Sequence, residues 1–88
     1  MSTAMKIDQE GDQLGPGVYR HYKGGLYRFL FTATEEEKQR LVVVYLSLES
    51  GRIWTRPADS WVGCVKDEDG KTTRRFQRMI VQDDLGGL

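Results

Sequence analysis

Turn-forming residues interrupt this chain at short intervals, and that spacing limits which folds are open to it. The pairs Gly24-Gly25 and Ser50-Gly51 and the segment Asp67-Glu68-Asp69-Gly70 each separate two runs rich in β-branched and aromatic residues. Such turn residues between apolar runs are typical of β-hairpins. The spacing predicts six short strands, at residues 18–22, 26–33, 41–48, 52–56, 61–66 and 75–81.

No long helix is predicted between these strands. Residues 35–40 contain the only concentration of good helix formers, and six residues are too few to nucleate a stable helix, so we predict a solvated hairpin loop. Pro57 ends the fourth strand because it has no N–H to donate. The pattern favours a mostly β domain, a small antiparallel barrel or roll of about five to six strands.

The length of 88 residues allows one domain. Residues 1–14 hold few, well-separated apolar side chains and end in acidic, Gly-containing sequence, which is typical of a flexible arm. Residues 83–88 are predicted to be a flexible tail for the same reason. The folded unit is therefore predicted over residues 15–82.

The net charge of zero is unevenly distributed along the chain. Residues 15–82 hold twelve Lys or Arg against eight Asp or Glu, which leaves +4 on the folded unit. This surplus is compatible with an anionic ligand but is small for a protein dedicated to duplex nucleic acid.

One cysteine and one histidine exclude an intrachain disulfide and a zinc site of the usual spacing, and no cofactor or metal is predicted. Cys64 lies in an apolar run and is predicted to be an inert core residue. No segment approaches the ~20 apolar residues of a membrane span, and no signal-peptide run is present. A reduced, cytoplasmic setting is expected, without a membrane partner.

Strand alternation assigns side chains to faces. In the second strand, Tyr27, Phe29, Phe31 and Ala33 share the face predicted to be the core. Residues 41–48 are apolar on both faces, so this strand is predicted to be central and covered twice. If Ile53 faces the core, Trp54 stands outside between Arg52 and Arg56.

One set of motifs stands out along the chain: Gly17-Val18-Tyr19-Arg20-His21-Tyr22-Lys23-Gly24, Tyr27, Leu41-Val42-Val43-Val44-Tyr45, Trp54-Thr55-Arg56-Pro57 and Arg75-Phe76. In this combination the motifs resemble domain-of-unknown-function family 1653. The resemblance covers residues 17–79 and implies a small SH3-like β-barrel without an established activity. The chain departs from the family pattern at Thr34-Glu35-Glu36-Glu37, where members tend to carry a His with a Glu-Thr pair. That departure implies an altered or lost part of any site formed by this loop.

His21 is the residue best suited to acid–base chemistry, and it shares a strand face with Tyr19 and Lys23. A general base needs a nucleophile or an acid partner, and the sequence identifies none. The alternative is that His21 makes one fixed hydrogen bond, and no catalytic residue is assigned. Lys23-Gly24-Gly25 lacks the glycine spacing and the following helix of a phosphate-binding loop, so it is interpreted as a turn.

Trp54 and Arg56 are the best candidates for recognition, because an exposed indole and a guanidinium together suit a planar or anionic ligand. In the alternative interpretation Trp54 closes one end of the barrel and Arg56 pairs with Asp59. A basic cluster near the end of the unit is interpreted as protection of a strand edge rather than as a nucleic-acid surface. It comprises Arg74, Arg75 and Arg78, with Lys66 and Lys71.

These observations leave three functional hypotheses. The leading one is a non-enzymatic binding module for a small anionic ligand or peptide, in which His21 and Arg56 converge on one cleft. The others are single-stranded nucleic-acid binding and, with least support, a His21-dependent enzyme. The candidate ligand-binding residues are Tyr19, His21, Lys23, Tyr27, Trp54 and Arg56.

Overall fold

A computed structural model describes the backbone of residues 3–7 and 13–83 and the side chains of residues 13–80. In this part of the chain six strands form one antiparallel sheet and two form a second, smaller sheet. The antiparallel, mostly β class predicted from the sequence is confirmed. The elements are β1 (Thr3–Ile7), β2 (Gly17–His21), β3 (Leu26–Glu35), β4 (Arg40–Ser47), β5 (Ile53–Pro57), α1 (Ala58–Val62), β6 (Cys64–Lys66), β7 (Thr72–Arg74) and β8 (Phe76–Asp83).

The large sheet has the strand order β1-β8-β2-β3-β4-β5. Neighbours from β2 to β5 follow each other along the chain, so they form a meander, and β8 returns beside β2. Within the described residues no ladder joins β1 to β5, so the sheet is open at these two edges. The SH3-like barrel implied by the resemblance stays a prediction.

Two of the three predicted turns lie between the strands they were expected to join, whereas Asp67–Gly70 joins β6 to β7, a strand that was not predicted. Gly25 connects β2 to β3 with a φ of +89° and Gly51 connects β4 to β5 with a φ of +75°, a backbone region that favours glycine. Residues 36–39 form the turn between β3 and β4, within the loop predicted over residues 35–40, and an ion pair of 3.2 Å between Arg40 and Glu35 joins the two strand ends.

One predicted strand is partly wrong. Trp61 and Val62, expected in a strand over residues 61–66, belong to the short helix α1, and only Cys64–Lys66 extends as β6. Pro57 occupies the N-cap of this helix with a φ of −53°. A proline at a helix start loses no hydrogen bond, because the first amides of a helix have no partner within it.

The sequence did not predict β1, which pairs with β8 from Thr3 opposite Asp83 to Ile7 opposite Met79. This strand lies within the predicted arm, and Asp83, assigned to the predicted tail, ends β8. Residues 1–2, 8–12 and 84–88 lie outside the described residues, so the boundaries of the domain stay a prediction.

The core is aromatic and lies on one face of the large sheet. Tyr19 faces Tyr27 across β2 and β3, and Phe29 faces Tyr45 across β3 and β4. Aromatic rings dominate small cores because each removes a large apolar area from water. The buried members of this cluster are Tyr19, Phe29, Val43, Tyr45, Trp61 and Phe76.

The core face predicted for β3 is correct at Phe29 and wrong at Phe31. A register shift between these two residues places Phe29 opposite Tyr45 and Phe31 opposite Val44. The extra residue reverses the alternation, and the Phe31 side chain is 56% exposed. Strand β4 buries both faces, as predicted, because its consecutive residues 42–45 alternate between the two faces and are all buried.

Cys64 was predicted to be a core residue, and that prediction is wrong. Its strand, β6, pairs only with β7 in the described part of the chain, and Cys64 is an exposed free thiol. The described residues also contain no helix long and apolar enough to cross a membrane.

Candidate basic site

Phe76 is the residue around which the candidate site is built. It begins β8, is 2% exposed, and lies opposite His21 of β2 in the register. The centroid of its ring lies 5.0 Å from that of His21, and the guanidinium carbon of Arg56 lies 5.5 Å from the same ring. His21 and Arg56 therefore both contact the same aromatic ring, although they belong to strands that are three places apart in the sheet order.

The floor beside Phe76 is made of two tyrosines from β3 and β4. Tyr27 and Tyr45 each present a ring edge to Phe76, with centroids at 5.7 and 5.8 Å, and lie 5.6 Å from each other. Edge-to-face contacts at this distance are favourable and fix the ring orientations.

Ser60 holds two guanidinium groups at once. Its hydroxyl oxygen accepts a hydrogen bond of 3.1 Å from Nη1 of Arg56, and its carbonyl oxygen accepts one of 3.1 Å from Nε of Arg75. Both acceptors are neutral, so neither bond cancels a positive charge. Together His21, Arg56, Ser60, Arg75 and Phe76 form what we call the basic site.

Neither arginine of the basic site has a carboxylate partner among the described residues. The ion pair in that part of the chain joins Arg40 to Glu35, at the hairpin between β3 and β4. Asp59, the partner considered for Arg56 from the sequence, is exposed, and Arg56 contacts Ser60 instead. The basic site therefore carries two positive charges that these side chains leave uncompensated.

The backbone around the two arginines is fixed. The amide of Arg75 donates to Gly63 over 3.0 Å, and its carbonyl accepts the amide of Tyr22 over 2.9 Å. Arg56 lies in β5 opposite Val43 of β4. Cationic groups mounted on hydrogen-bonded strands are held in position before any ligand arrives.

His21 adds a hydrogen-bond donor to this arrangement. Its Nδ1 accepts the amide of Lys23 over 3.2 Å, so the neutral ring carries its proton on Nε2. Burial lowers the pKa of His21, and the positive charges of Arg56, Arg75 and Lys23 lower it further. Among the described residues no carboxylate acts on the ring in the opposite direction, so the imidazole is neutral near pH 7.

Not every residue predicted for the site belongs to it. Tyr19 is fully buried, and its hydroxyl donates to the carbonyl of Gly15 over 2.9 Å, so the structure places it in the core rather than at the basic site. Lys23 is exposed and lines an open groove of about 820 Å³ with Tyr22 and the hairpin between β6 and β7. Its backbone amide donates to His21, and its side chain acts on that ring through its charge.

Trp54 lies on the same face of β5 as Arg56, two residues before it, and is 46% exposed. The interpretation that places Trp54 outside required Ile53 to face the core, and that condition is not met, because Ile53 is 62% exposed while Trp54 lies opposite the buried Tyr45. Strand β5 is an edge of the sheet, and its residues 53–55 are exposed.

Sequence reasoning missed Arg75 as a site residue and assigned it to an edge-protecting cluster. In the structure a bend at residue 75 separates Arg75 from β7, and its side chain bonds to Ser60. The sequence feature that marks Arg75 is its place immediately before Phe76. Ser60 was missed because its segment was not recognised as a helix. Within the described residues no group of His, Cys, Asp and Glu could hold a metal ion.

Comparison with known proteins places the chain in a family. A solved structure of a DUF1653 protein from Bordetella bronchiseptica is 37% identical, with a TM-score of 0.66 over 73% of this chain and 85% of that one. No curated protein matches the chain. The model of the family described as "Protein of unknown function (DUF1653)" matches residues 17–78, a span that contains every residue of the basic site. The chain therefore belongs to the DUF1653 family, as its sequence motifs indicated.

Proposed function

We propose that this protein is a non-enzymatic binding module for a small anionic ligand or peptide, and that the basic site receives the anionic group. The observation that carries the proposal is the pair of guanidinium groups, Arg56 and Arg75, bonded to one neutral residue, Ser60. Two like charges held together in a half-buried position repel each other, and an anion between them relieves that repulsion.

The free hydrogen-bond donors of the site support this proposal. Nη2 of Arg56 and both terminal nitrogens of Arg75 have no acceptor among the described residues. In that part of the chain the only buried side-chain polar atom without a partner is Nε of Arg56. The terminal nitrogens therefore remain open to solvent, where charge-assisted hydrogen bonds to an anion can form.

The protonation of His21 favours binding over a reaction. A general base needs a lone pair that can accept a proton from the substrate. The lone pair on Nδ1 is occupied by the Lys23 amide, and Nε2 of the neutral ring carries a proton. His21 is thus arranged as a donor toward a ligand rather than as a base.

The exposed indole of Trp54 keeps single-stranded nucleic acid as the second candidate. A half-exposed Trp beside a cationic strand is a surface on which a base can stack. We include a cytoplasmic setting in the proposal, because an exposed free thiol such as Cys64 persists in a reducing compartment.

A thermal-shift experiment at constant ionic strength tests the proposal. The ligands are acetate, benzoate, inorganic phosphate, a short acidic peptide and a short single-stranded oligonucleotide. An anion that binds the native state must raise the melting temperature. We expect this rise in the wild type and its loss in Arg56→Gln.

Arg74→Gln is the matched control. Arg74 is exposed in β7, next to Arg75 in sequence, and its replacement removes the same charge without touching Ser60. No rise with any small anion or peptide would rule the proposal out, as would an equal loss in both variants. A rise with the oligonucleotide alone would favour the second candidate.

A further inference from the structure

The charge and the number of donors at the basic site specify its ligand more closely than "an anion". We propose that the ligand is a small phosphate monoester in its dianionic form, attached to a flat ring that stacks on Trp54. This inference rests on the proposed function, because it names the class of anion that the same site takes.

The first argument is charge. Two guanidinium groups without a carboxylate partner in the described residues contribute two positive charges, while the imidazole of His21 contributes none when neutral. A carboxylate or a phosphodiester compensates one of these charges, whereas a phosphate monoester carries about −1.5 to −2 near pH 7. The monoester is the ligand that leaves the site neutral.

The second argument is the number and origin of the donors. Arg56 reaches the site from β5, Arg75 from the bend before β8, and His21 from β2. A planar carboxylate offers two oxygens in one plane, while a phosphate monoester offers three terminal oxygens in a tetrahedral arrangement. Three donors from three separate elements therefore match the phosphate group better.

The third argument is the position of Trp54. Residues two apart on a strand point to the same face and lie about 7 Å apart. Trp54 therefore lies about 7 Å from Arg56 along β5, on the same face of this edge strand. Its side chain is 46% exposed. A flat ring joined to the phosphate through one ester oxygen can reach this indole, and ring stacking adds affinity that inorganic phosphate lacks.

Isothermal titration calorimetry on the full chain, at about pH 7.5 and constant ionic strength, tests the inference. The ligands are phenyl phosphate, its monoanionic methyl ester, benzoate and inorganic phosphate. We expect phenyl phosphate to bind at least tenfold more tightly than each of the other three. In Trp54→Ala we expect phenyl phosphate to weaken to the level of inorganic phosphate.

The outcomes separate this inference from the proposed function. If benzoate or the methyl ester binds as tightly as phenyl phosphate, the dianion is wrong while the binding module stands. If none of the four binds, the monoester class is wrong, and the binding module is also wrong if no anion or peptide raises the melting temperature. If phenyl phosphate prefers the wild type but Trp54→Ala binds it equally well, the stacked ring is wrong.

Two further measurements identify the source of the phosphate group and the residues that bind it. A single-stranded oligonucleotide without a terminal phosphate should bind at least tenfold more weakly than phenyl phosphate, and equal binding would overturn the monoester class. Arg75→Gln should weaken phenyl phosphate at least tenfold and benzoate much less, while Arg74→Gln should change neither. An equal loss in the two variants would overturn the assignment of Arg75.

Discussion

The indole of Trp61 lies parallel to the phenyl ring of Phe76, with ring centroids 3.8 Å apart and an angle of 10° between the planes. Trp61 belongs to α1 and is fully buried, and Phe76 begins β8. The stack ties the short helix to the strand that carries the floor of the basic site. Because Ser60 immediately precedes Trp61, the same stack fixes where the acceptors for both arginines lie.

Replacing Trp61 with Ala should destabilise the domain strongly. The change removes a fully buried indole, its stack on Phe76 and the hydrogen bond of 3.1 Å that its Nε1 donates to the carbonyl of Gln13. Core Trp to Ala changes cost about 3–5 kcal/mol, which is a large share of the stability of a small domain. Urea unfolding measures the loss, and Trp61→Phe should retain part of the stability.

Trp54→Ala, at the other tryptophan of the chain, is the matched control for Trp61→Ala. Its indole is 46% exposed, so we expect a change in the free energy of unfolding within about 1 kcal/mol. Equal losses for the two variants would contradict the burial that distinguishes the two indoles.

Removing the Ser60 hydroxyl should weaken anion binding without unfolding the protein. Ser60→Ala deletes the acceptor for Arg56, while the carbonyl that holds Arg75 remains. Losing one hydrogen bond that orients the guanidinium is expected to cost about 1 kcal/mol, or about a fivefold loss of affinity for phenyl phosphate. Titration calorimetry measures the affinity, and urea unfolding checks the fold.

Ser60→Thr provides the test of the mechanism, because it keeps a hydroxyl in the same place. We expect it to restore most of the affinity. If Ser60→Thr binds as weakly as Ser60→Ala, the hydroxyl does not position Arg56, and the loss has another structural origin.

The strands and turns could be predicted because their signals are local. Gly25 and Gly51 have positive φ angles that glycine adopts readily, so their positions mark the hairpins directly. The bulge after Phe29 has no such signal. One extra residue reversed the faces beyond it, which is why Phe31 was wrongly placed in the core.

Two of the five residues of the basic site, His21 and Arg56, could be named from the sequence, because they lie in recognisable motifs. Ser60 and Arg75 could not, because their roles depend on a contact between the helix after β5 and the start of β8, fifteen residues later. Local patterns do not encode such a contact. Pro57 followed by Ala58 and Asp59 is nevertheless a helix-start signal, and recognising it would have moved Trp61 out of the predicted strand.

Replacing Arg56 with Met should raise stability while it abolishes anion binding. In the wild type Nε of Arg56 is buried without a partner, and the guanidinium lies near that of Arg75. An unpaired buried donor costs about 1–3 kcal/mol, and an apolar chain of similar length removes this cost and the repulsion between charges. We expect the free energy of unfolding, measured with urea, to rise by about 1 kcal/mol. Such gains are common where a binding residue is kept at the expense of stability.

Arg28→Met is the control for the Arg56 variant. Arg28 is exposed in β3, so this change should leave stability within about 0.5 kcal/mol and leave binding unchanged. A clear loss of stability in Arg56→Met would mean that the contact of the guanidinium with Phe76 outweighs its unpaired nitrogen.

The stability of the protein should depend on pH through His21 below about pH 6.5. Burial and the charges of Arg56, Arg75 and Lys23 hold the pKa of His21 in the native state below its ordinary value. The unfolded chain therefore binds a proton at this position more readily than the native state does. The contribution of His21 to the free energy of unfolding is fully present above about pH 6.5, the pKa in the unfolded chain, and is lost as the pH falls from there through the native pKa.

His21→Asn should lose less stability over the same interval, because asparagine does not titrate and its side-chain oxygen can accept the Lys23 amide in place of Nδ1. Urea unfolding of both proteins at about pH 8 and about pH 5.5 measures the difference, and carboxylates common to the two proteins cancel in the comparison. An equal loss in both would mean that His21 protonates as easily in the native state as in the unfolded chain, contrary to its position among three cations.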